Sequence, residues 1–135
     1  MQIMISVEMV VNFFEYFGAA LAAEGLFLML YMAVTTHHEL ALIKEGNVAA
    51  GISTGGAILG FTLPIAAAIT RSVSLADMAV WSSVALGVQL GVYLIIDLLL
   101  RDISSKIAKG NVAAGVILGA ASLALGVVNA ASISN

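Results

Sequence analysis

The stretch Gly46-Asn47-Val48-Ala49-Ala50-Gly51 decides how this chain is organised, because it occurs twice. It returns as Gly110-Asn111-Val112-Ala113-Ala114-Gly115, 64 residues later in a chain of 135. When 46–71 is aligned with 110–135, 12 of 26 positions are identical, and a fixed period of this kind indicates an internal repeat. Each copy opens with polar residues and then stays apolar for about the thickness of a bilayer. The sequence therefore predicts a duplicated membrane hairpin.

The composition points to the same class of protein. Hydrophobic residues make up 61% of the chain and charged residues 10%, and the mean hydropathy is +1.10. A soluble domain carries roughly 25% charged residues, so most of this surface is expected to face a lipid bilayer. The net charge of −3 forms no basic face and argues against a nucleic-acid partner. The absence of cysteine excludes disulfides, thiol catalysis and thiolate metal sites.

The order of apolar segments predicts an all-α integral membrane protein with one membrane domain over residues 1–135. Four transmembrane helices are predicted at about 13–34, 48–70, 75–98 and 111–133, and residues 1–12 are predicted to extend the first helix. The first two spans form a repeat over about 8–71 and the last two a repeat over about 75–135. Two copies with the same orientation are expected to be related by a pseudo-twofold axis along the membrane normal, the parallel type of repeat.

Capping and packing residues are predicted from the repeated stretch. Gly46 is expected to end a short helix, and Asn47 and Asn111 to cap the spans that follow them. Small residues four apart allow close helix contact in lipid, which assigns that role to Gly51, Gly55, Gly56 and Gly60 in the second span and to Gly115 and Gly119 in the fourth. The second and fourth spans are expected to meet at the centre, with the first and third beside them.

The two linkers, at 35–45 and 101–109, are predicted to be short amphipathic helices in the membrane interface. In the first, Leu40 and Ile43 form the apolar side and Glu39 belongs to the polar side. In the second, Ile103 and Ile107 form the apolar side. The adjacent histidines at 37 and 38 point about 100° apart on a helix, unlike the i, i+4 pair of a zinc site, so neither a metal nor another cofactor is predicted.

Two polar residues lie deep in the predicted spans and form the candidate intramembrane site: Glu24 and Gln89. A carboxylate there costs a few kcal/mol unless it is neutral, paired or next to water. Glu24 is therefore either a proton or cation site, or a protonated side chain that hydrogen-bonds a neighbouring helix. Gln89 is expected to hydrogen-bond across helices. Asp97 is expected to pair with Arg101, four residues on.

The basic residues predict the orientation in the membrane. The two linkers carry Lys44, Arg101, Lys106 and Lys109, whereas the opposite side carries Arg71. The positive-inside rule then puts both linkers in the cytoplasm and both termini in the periplasm. A small unit with little mass outside the bilayer is also expected to form a homo-oligomer.

The residues also resemble the DUF350 (UPF0719) family of small bacterial inner-membrane proteins with duplicated hairpins. The positions that carry the resemblance are Glu39, Leu42, Ile43, Gly46, Asn47, Ala49 and Ala50, then Asp77, Trp81 and Gln89, and finally Asn111, Ala113, Ala114, Gly115, Asn129, Ala130 and Ala131. The resemblance implies four spans and a bacterial inner-membrane location, and it supplies no established activity. Its members often occur beside membrane-remodelling proteins of the phage-shock type and ATP-grasp ligases, which implies a role in envelope maintenance.

Two functions remain open from the sequence. The first is a non-enzymatic inner-membrane subunit or scaffold of an envelope-maintenance or membrane-stress assembly, with a protein partner on the cytoplasmic side. The alternative is a small ion or proton channel or carrier, with Glu24 and Gln89 in the membrane interior. An enzyme is not expected, because the sequence offers no nucleophile with a base beside it and so predicts no catalytic residues.

Overall fold

The computed structural model describes residues 1–35, 38–100 and 102–134, and these are helical without strands. Six helices follow along the chain: α1 (Gln2–Val34), α2 (Glu39–Lys44), α3 (Val48–Arg71), α4 (Leu75–Leu99), α5 (Ile103–Ala108) and α6 (Val112–Ile133). The four long helices have 22 to 33 residues, or roughly 33 to 50 Å at about 1.5 Å per residue. Each is apolar and long enough to cross a bilayer. The prediction of four spans, with a short helix in each linker, is confirmed.

The repeated stretch ends one helix and begins the next, as predicted. Gly46 and Gly110 have φ of 83° and 84°, a left-handed conformation that glycine adopts without the steric cost of a side chain. The side-chain oxygens of Asn47 and Asn111 accept hydrogen bonds from the backbone N–H three residues later, at 3.0 and 3.2 Å. Each asparagine therefore caps a spanning helix at its first turn.

Helix α4 begins with a reciprocal capping arrangement. The backbone N–H of Asp77 donates to the hydroxyl of Ser74 at 3.1 Å. The Asp77 carboxylate accepts in return from the backbone N–H of Val73, also at 3.1 Å. Two backbone donors that the first turn would leave unpaired are satisfied in this way.

Helices α3 and α6 form the most extensive contact between elements, which confirms that the second and fourth spans meet at the centre. Their backbones approach so closely that no side chain fits between them. A Cβ on Gly115 would overlap the backbone of Ala49, and one on Gly126 would overlap that of Gly60. Glycine at these positions lets van der Waals packing hold the helices together where lipid provides no hydrophobic driving force.

The glycines on α3 do not all take part in that contact. A Cβ on Gly56 would overlap the backbone of Gly119, and Gly60 is equally close to the backbone of Ser122. A Cβ on Gly51 or Gly55 would meet no atom within 4 Å. The predicted packing role of Gly51 and Gly55 is therefore wrong within this chain, because residues 51 and 55 lie on a different side of the helix from 56 and 60.

The two copies of the repeat also do not meet through equivalent surfaces. Gly115 contacts Ala49, and the repeat relates these two positions to Gly51 and Ala113. A twofold axis between α3 and α6 would therefore bring Gly51 against Ala113. Gly51 has open space around it and Ala113 is exposed. The predicted pseudo-twofold relation is not obeyed at the central contact.

Helix α1 packs against α3 and α4, and its N-terminal part extends beyond the other spanning helices. Its packed residues begin at Tyr16, whereas Ile3 and Phe14 are exposed. Met9 lines a shallow groove with Ile69, near the end of α3. The first two turns of α1 therefore run past the end of α3, which confirms the predicted extension of the first helix.

Helix α5 is fixed to the bundle by both its apolar side and its backbone. Ile103 and Ile107 are buried, as predicted. The side-chain amide of Asn47 donates to the backbone carbonyls of Ile107, at 2.9 Å, and Ala108, at 3.4 Å. The cap of α3 in the first repeat thus binds the linker of the second. The predicted Asp97–Arg101 pair lies outside the described residues, because Arg101 is not among them.

Helix α2 is oriented differently from the prediction. Leu40 and Ile43 are 58% and 39% exposed, whereas Glu39 is only 1% exposed. Leu40 and Ile43 face outward, toward where lipid would lie, whereas Leu42 packs against the core and the carboxylate of Glu39 turns into the protein. The assignment of Glu39 to the polar, outer side of the linker was wrong, because the short helix presents its first residue to the buried tyrosines of the bundle.

Candidate functional site

Glu24 lies half-buried on α1 beside α3. One of its carboxyl oxygens is 3.2 Å from the hydroxyl oxygen of Thr62, which is also 2.8 Å from the backbone carbonyl oxygen of Ile58. The Thr62 hydroxyl, which has one proton for these two acceptors, links Glu24 on α1 to α3. The other carboxyl oxygen of Glu24 is buried and has no hydrogen-bond partner among the described residues. Both sequence interpretations of Glu24, a proton or cation site and a protonated side chain that links helices, therefore stay open.

Gln89 lies in a buried polar network between α4 and α6. Its side-chain amide donates to the backbone carbonyl of Ser122 at 2.9 Å. Its oxygen accepts from the amide of Asn129 at 3.4 Å, and that amide also donates to the backbone carbonyl of Ala85 at 3.1 Å. The predicted hydrogen bond of Gln89 across helices is present, and Asn129 belongs to the same network.

Glu24 and Gln89 occupy similar places in the two repeats but do not form one site. Glu24 binds α3 through Thr62, and Gln89 binds α6 through Ser122 and Asn129. Each side chain fastens the first helix of its own repeat to the second. Their hydrogen bonds therefore hold the hairpins together and do not join them into a common polar path.

A third polar cluster, which sequence reasoning missed, lies at the linker end of the bundle. Glu39, Tyr31, Tyr93 and Ser104 are all at most 4% exposed. The rings of Tyr31 and Tyr93 meet edge to face, with centroids 5.1 Å apart. Both phenols lie close enough to Glu39 to interact with it electrostatically, and the Tyr93 hydroxyl faces Ser104. The cluster joins α1, α2, α4 and α5.

The arrangement of this cluster is typical of a buried polar site that holds elements in place. Phenol hydroxyls can donate hydrogen bonds to a carboxylate, and a buried carboxylate needs polar groups around it. The Tyr31 hydroxyl lies near Glu39 but is buried without a hydrogen-bond partner among the described residues. The one signal in the sequence was the aromatic pair at Phe27 and Tyr31, four residues apart on α1. Their rings stack with centroids 5.8 Å apart, and Phe27 stacks on Phe61 at 4.4 Å.

The structure does not bring potential metal ligands together in the part that it describes. No group of three His, Cys, Asp or Glu side chains there is placed to hold an ion. His38 directly precedes α2 in a left-handed conformation with φ of 32°. His37 lies outside the described residues.

Comparison with known proteins identifies relatives over almost the whole chain. The family described as Domain of Unknown Function (DUF350) matches residues 4–133. The UPF0719 inner membrane protein YjfL of Escherichia coli (strain K12) is 38% identical over 122 residues, covering 90% of this chain and 92% of that protein. The UPF0719 transmembrane protein YshE of Bacillus subtilis (strain 168) is 32% identical over 120 residues, covering 87% of this chain and 90% of that protein. No solved structure matches. The fold of four apolar helices and the match of residues 4–133 together show that the chain is a multi-pass membrane protein that belongs to the DUF350 family.

Proposed function

We propose that this protein is a non-enzymatic subunit or scaffold of an envelope-maintenance or membrane-stress assembly, which binds a protein partner through its linker end. The observation that supports this most is the rigid, charged surface made by α2 and α5. Lys44, Lys106 and Lys109 are exposed there, while Ile107 and the amide of Asn47 fix α5 to the bundle. Glu45 and Asp102 are exposed on the same linkers, so the described part of this surface carries both signs of charge with lysine in excess. Such a surface on a fixed scaffold suits a partner with a complementary, mainly acidic surface.

The use of the interior polar groups supports a structural role. Gln89 and Asn129 bind backbone carbonyls and each other, and Glu24 has its partner in Thr62. In lipid, side chains of this kind hold helices together. The amides of Gln89 and Asn129 and one oxygen of Glu24 are engaged in this way, and this supports a scaffold over a channel lined by Glu24 and Gln89.

The proposed location is the bacterial inner membrane, with the linkers in the cytoplasm and both termini in the periplasm. The relative YjfL is named an inner membrane protein. The positive-inside rule assigns the side that carries Lys44, Lys106 and Lys109 to the cytoplasm. The linker surface is then on the side where cytoplasmic or peripheral membrane proteins can reach it.

The proposal is tested by co-purification from native membranes at natural expression, after mild cross-linking and with quantitative mass spectrometry of the bound proteins. Wild type is expected to recover a defined partner, and the double variant Lys106→Glu, Lys109→Glu is expected to lose it. Arg71→Glu is the matched control, because it reverses an exposed charge at the other end of the bundle. Recovery of wild type without a partner, or equal recovery by the double variant, would contradict the proposal.

A further inference from the structure

The in-chain contact between the repeats leaves one surface of each repeat unused. We define face A as Ala49, Ile52, Gly56 and Gly60 of α3 together with the equivalent Ala113, Val116, Ala120 and Ala124 of α6. We define face B as Gly115, Gly119, Ser122 and Gly126 of α6 together with the equivalent Gly51, Gly55, Ile58 and Thr62 of α3. Within the chain, face A of α3 packs on face B of α6. Face A of α6 and the linker half of face B of α3 remain open.

The helices beside face B show that the two repeats are built alike. In the second repeat, Gln89 of α4 binds the carbonyl of Ser122 on face B. In the first repeat, Glu24 of α1 binds Thr62 on face B at a similar depth. In both repeats a polar side chain of the first helix therefore binds face B, although the repeat relates Gln89 and Ser122 to Gly25 and Ile58. In the second repeat, face B accepts α3 beside this helix.

An independent observation comes from the two capping asparagines. The side-chain amide of Asn47 donates to the carbonyls of Ile107 and Ala108. Among the described residues, the amide of Asn111 donates to none, and the side chain is exposed. The repeat relates the two acceptor carbonyls to those of Ile43 and Lys44 in α2. The carbonyl oxygens of Ile43 and Ile107 each accept a hydrogen bond from the backbone N–H of the glycine three residues later, at 3.0 and 2.9 Å. The Ile107 oxygen also accepts from the Asn47 amide through its second lone pair.

A groove lies where the missing neighbour would sit. It has a volume of about 310 Å³ and runs beside face A of α6 at the linker end. Ile103 and Lys106 of α5 line one side, and Asn111, Ala113 and Ile117 of α6 line the other. The corresponding residues of the first repeat, Ala49 and Asn47 among them, are covered by α6 and α5.

We propose that the in-chain contact is repeated between copies of this protein. Face A of α6 in one copy packs on face B of α3 in the next, and the amide of Asn111 donates to the carbonyls of Ile43 and Lys44 of that next copy. The contact joins two different surfaces, so it is heterologous and runs head to tail. All copies share one orientation in the bilayer, so the symmetry operation that relates neighbouring copies is a rotation about the membrane normal. Repetition of this rotation leads to a closed ring.

Disulfide cross-linking tests the register of this contact, since the chain has no cysteine of its own. The contact of Ala49 with Gly115 predicts that Ala113 of one copy meets Gly51 of the next. Two differently tagged chains, one with Ala113→Cys and one with Gly51→Cys, are co-expressed and oxidised in native membranes. We expect a cross-linked pair that contains both tags, at a rate about ten-fold or more above that of a random lipid-facing pair.

The control keeps Ala113→Cys and places the second cysteine at Met29, which is 71% exposed on α1 and about as far from the linkers. Cross-linking of Ala113 with Met29 at an equal rate would overturn the proposal. So would efficient cross-linking between two chains that both carry Ala113→Cys, because that outcome belongs to a twofold contact.

A steric variant tests the same contact without oxidation. Gly55→Leu adds a side chain where the single copy has open space, but where the next copy would lie. We expect it to leave the thermal stability of the monomer unchanged and to lower the oligomer fraction in nanodiscs about ten-fold or more. Gly91→Leu, at an open glycine of α4, is expected to leave the oligomer intact. A wild type that is monomeric at high density in nanodiscs, or an oligomer that survives Gly55→Leu, would overturn the proposal.

Discussion

At the scale of single residues, the α3–α6 contact depends on glycines that the sequence alone does not distinguish from glycines outside the contact. Gly126 and Gly91 both lie inside apolar helices, but a Cβ on Gly126 would overlap Gly60 and one on Gly91 would meet nothing within 4 Å. Gly126→Ala is therefore expected to destabilise the fold by roughly 1–3 kcal/mol, the usual cost of overpacking. Gly91→Ala is the matched control and should change little. Thermal unfolding in detergent measures both, and equal melting temperatures would show that the contact is looser than described.

The burial of Glu39 is a second single-residue feature, and the sequence pattern predicted it incorrectly. Leu40 and Ile43 define an apolar side, and Glu39 falls beside it, so the local pattern favours an exposed carboxylate. The structure buries it because Tyr31, Tyr93 and Ser104 offer polar atoms from three other helices. Contacts between distant parts of the chain decide this position, and no local pattern contains them.

At the scale of helices and linkers, two asparagines with the same local sequence are expected to differ in their contribution to stability. Asn47 and Asn111 both cap a helix, but Asn47 also donates to the carbonyls of Ile107 and Ala108. In monomeric detergent samples, Asn111→Ala should lose one cap, or about 1 kcal/mol. Asn47→Ala should lose about 1 kcal/mol more, because it removes the hydrogen bonds to the second linker as well as the cap. Chemical denaturation of the two variants provides the comparison, and equal losses would show that the bonds to α5 contribute nothing.

The same helices show how far sequence reasoning reaches. Helix ends were predictable because Gly46, Asn47 and Ser74 act on backbone groups within a few residues. The side of α3 that packs was not, since glycines lie on two sides of that helix, at 51 and 55 and at 56 and 60. The choice depends on α6, which carries Gly115, Gly119 and Gly126 on one side. Face A of α3 meets that side with Ala49, Gly56 and Gly60, whereas Gly51 and Gly55 are followed by Ile58 and Thr62.

At the scale of the whole molecule, the positions of α1 and α3 determine which parts of the chain lie on the same side of the membrane, independently of their charge. The N-terminal part of α1 lies beside the end of α3, with Met9 and Ser72 lining one groove. Gln2 and Val73 must therefore lie on the same side of the membrane, and α2 and α5 on the other. The positive-inside rule predicts the absolute direction, with the linker side that carries Lys44, Lys106 and Lys109 in the cytoplasm.

Cysteine accessibility tests both statements, because the chain has no cysteine of its own and Val73 is 92% exposed. A membrane-impermeant maleimide is expected to label Gln2→Cys and Val73→Cys in cells whose outer membrane alone is opened. Lys109→Cys should react only after the inner membrane is permeabilised. Labelling of Lys109→Cys first, with the other two protected, would keep the fold and reverse its orientation. Labelling of Gln2→Cys and Val73→Cys from opposite sides would contradict the four-span fold itself, because α1, α3 and the turn between α3 and α4 could not then lie as the structure places them.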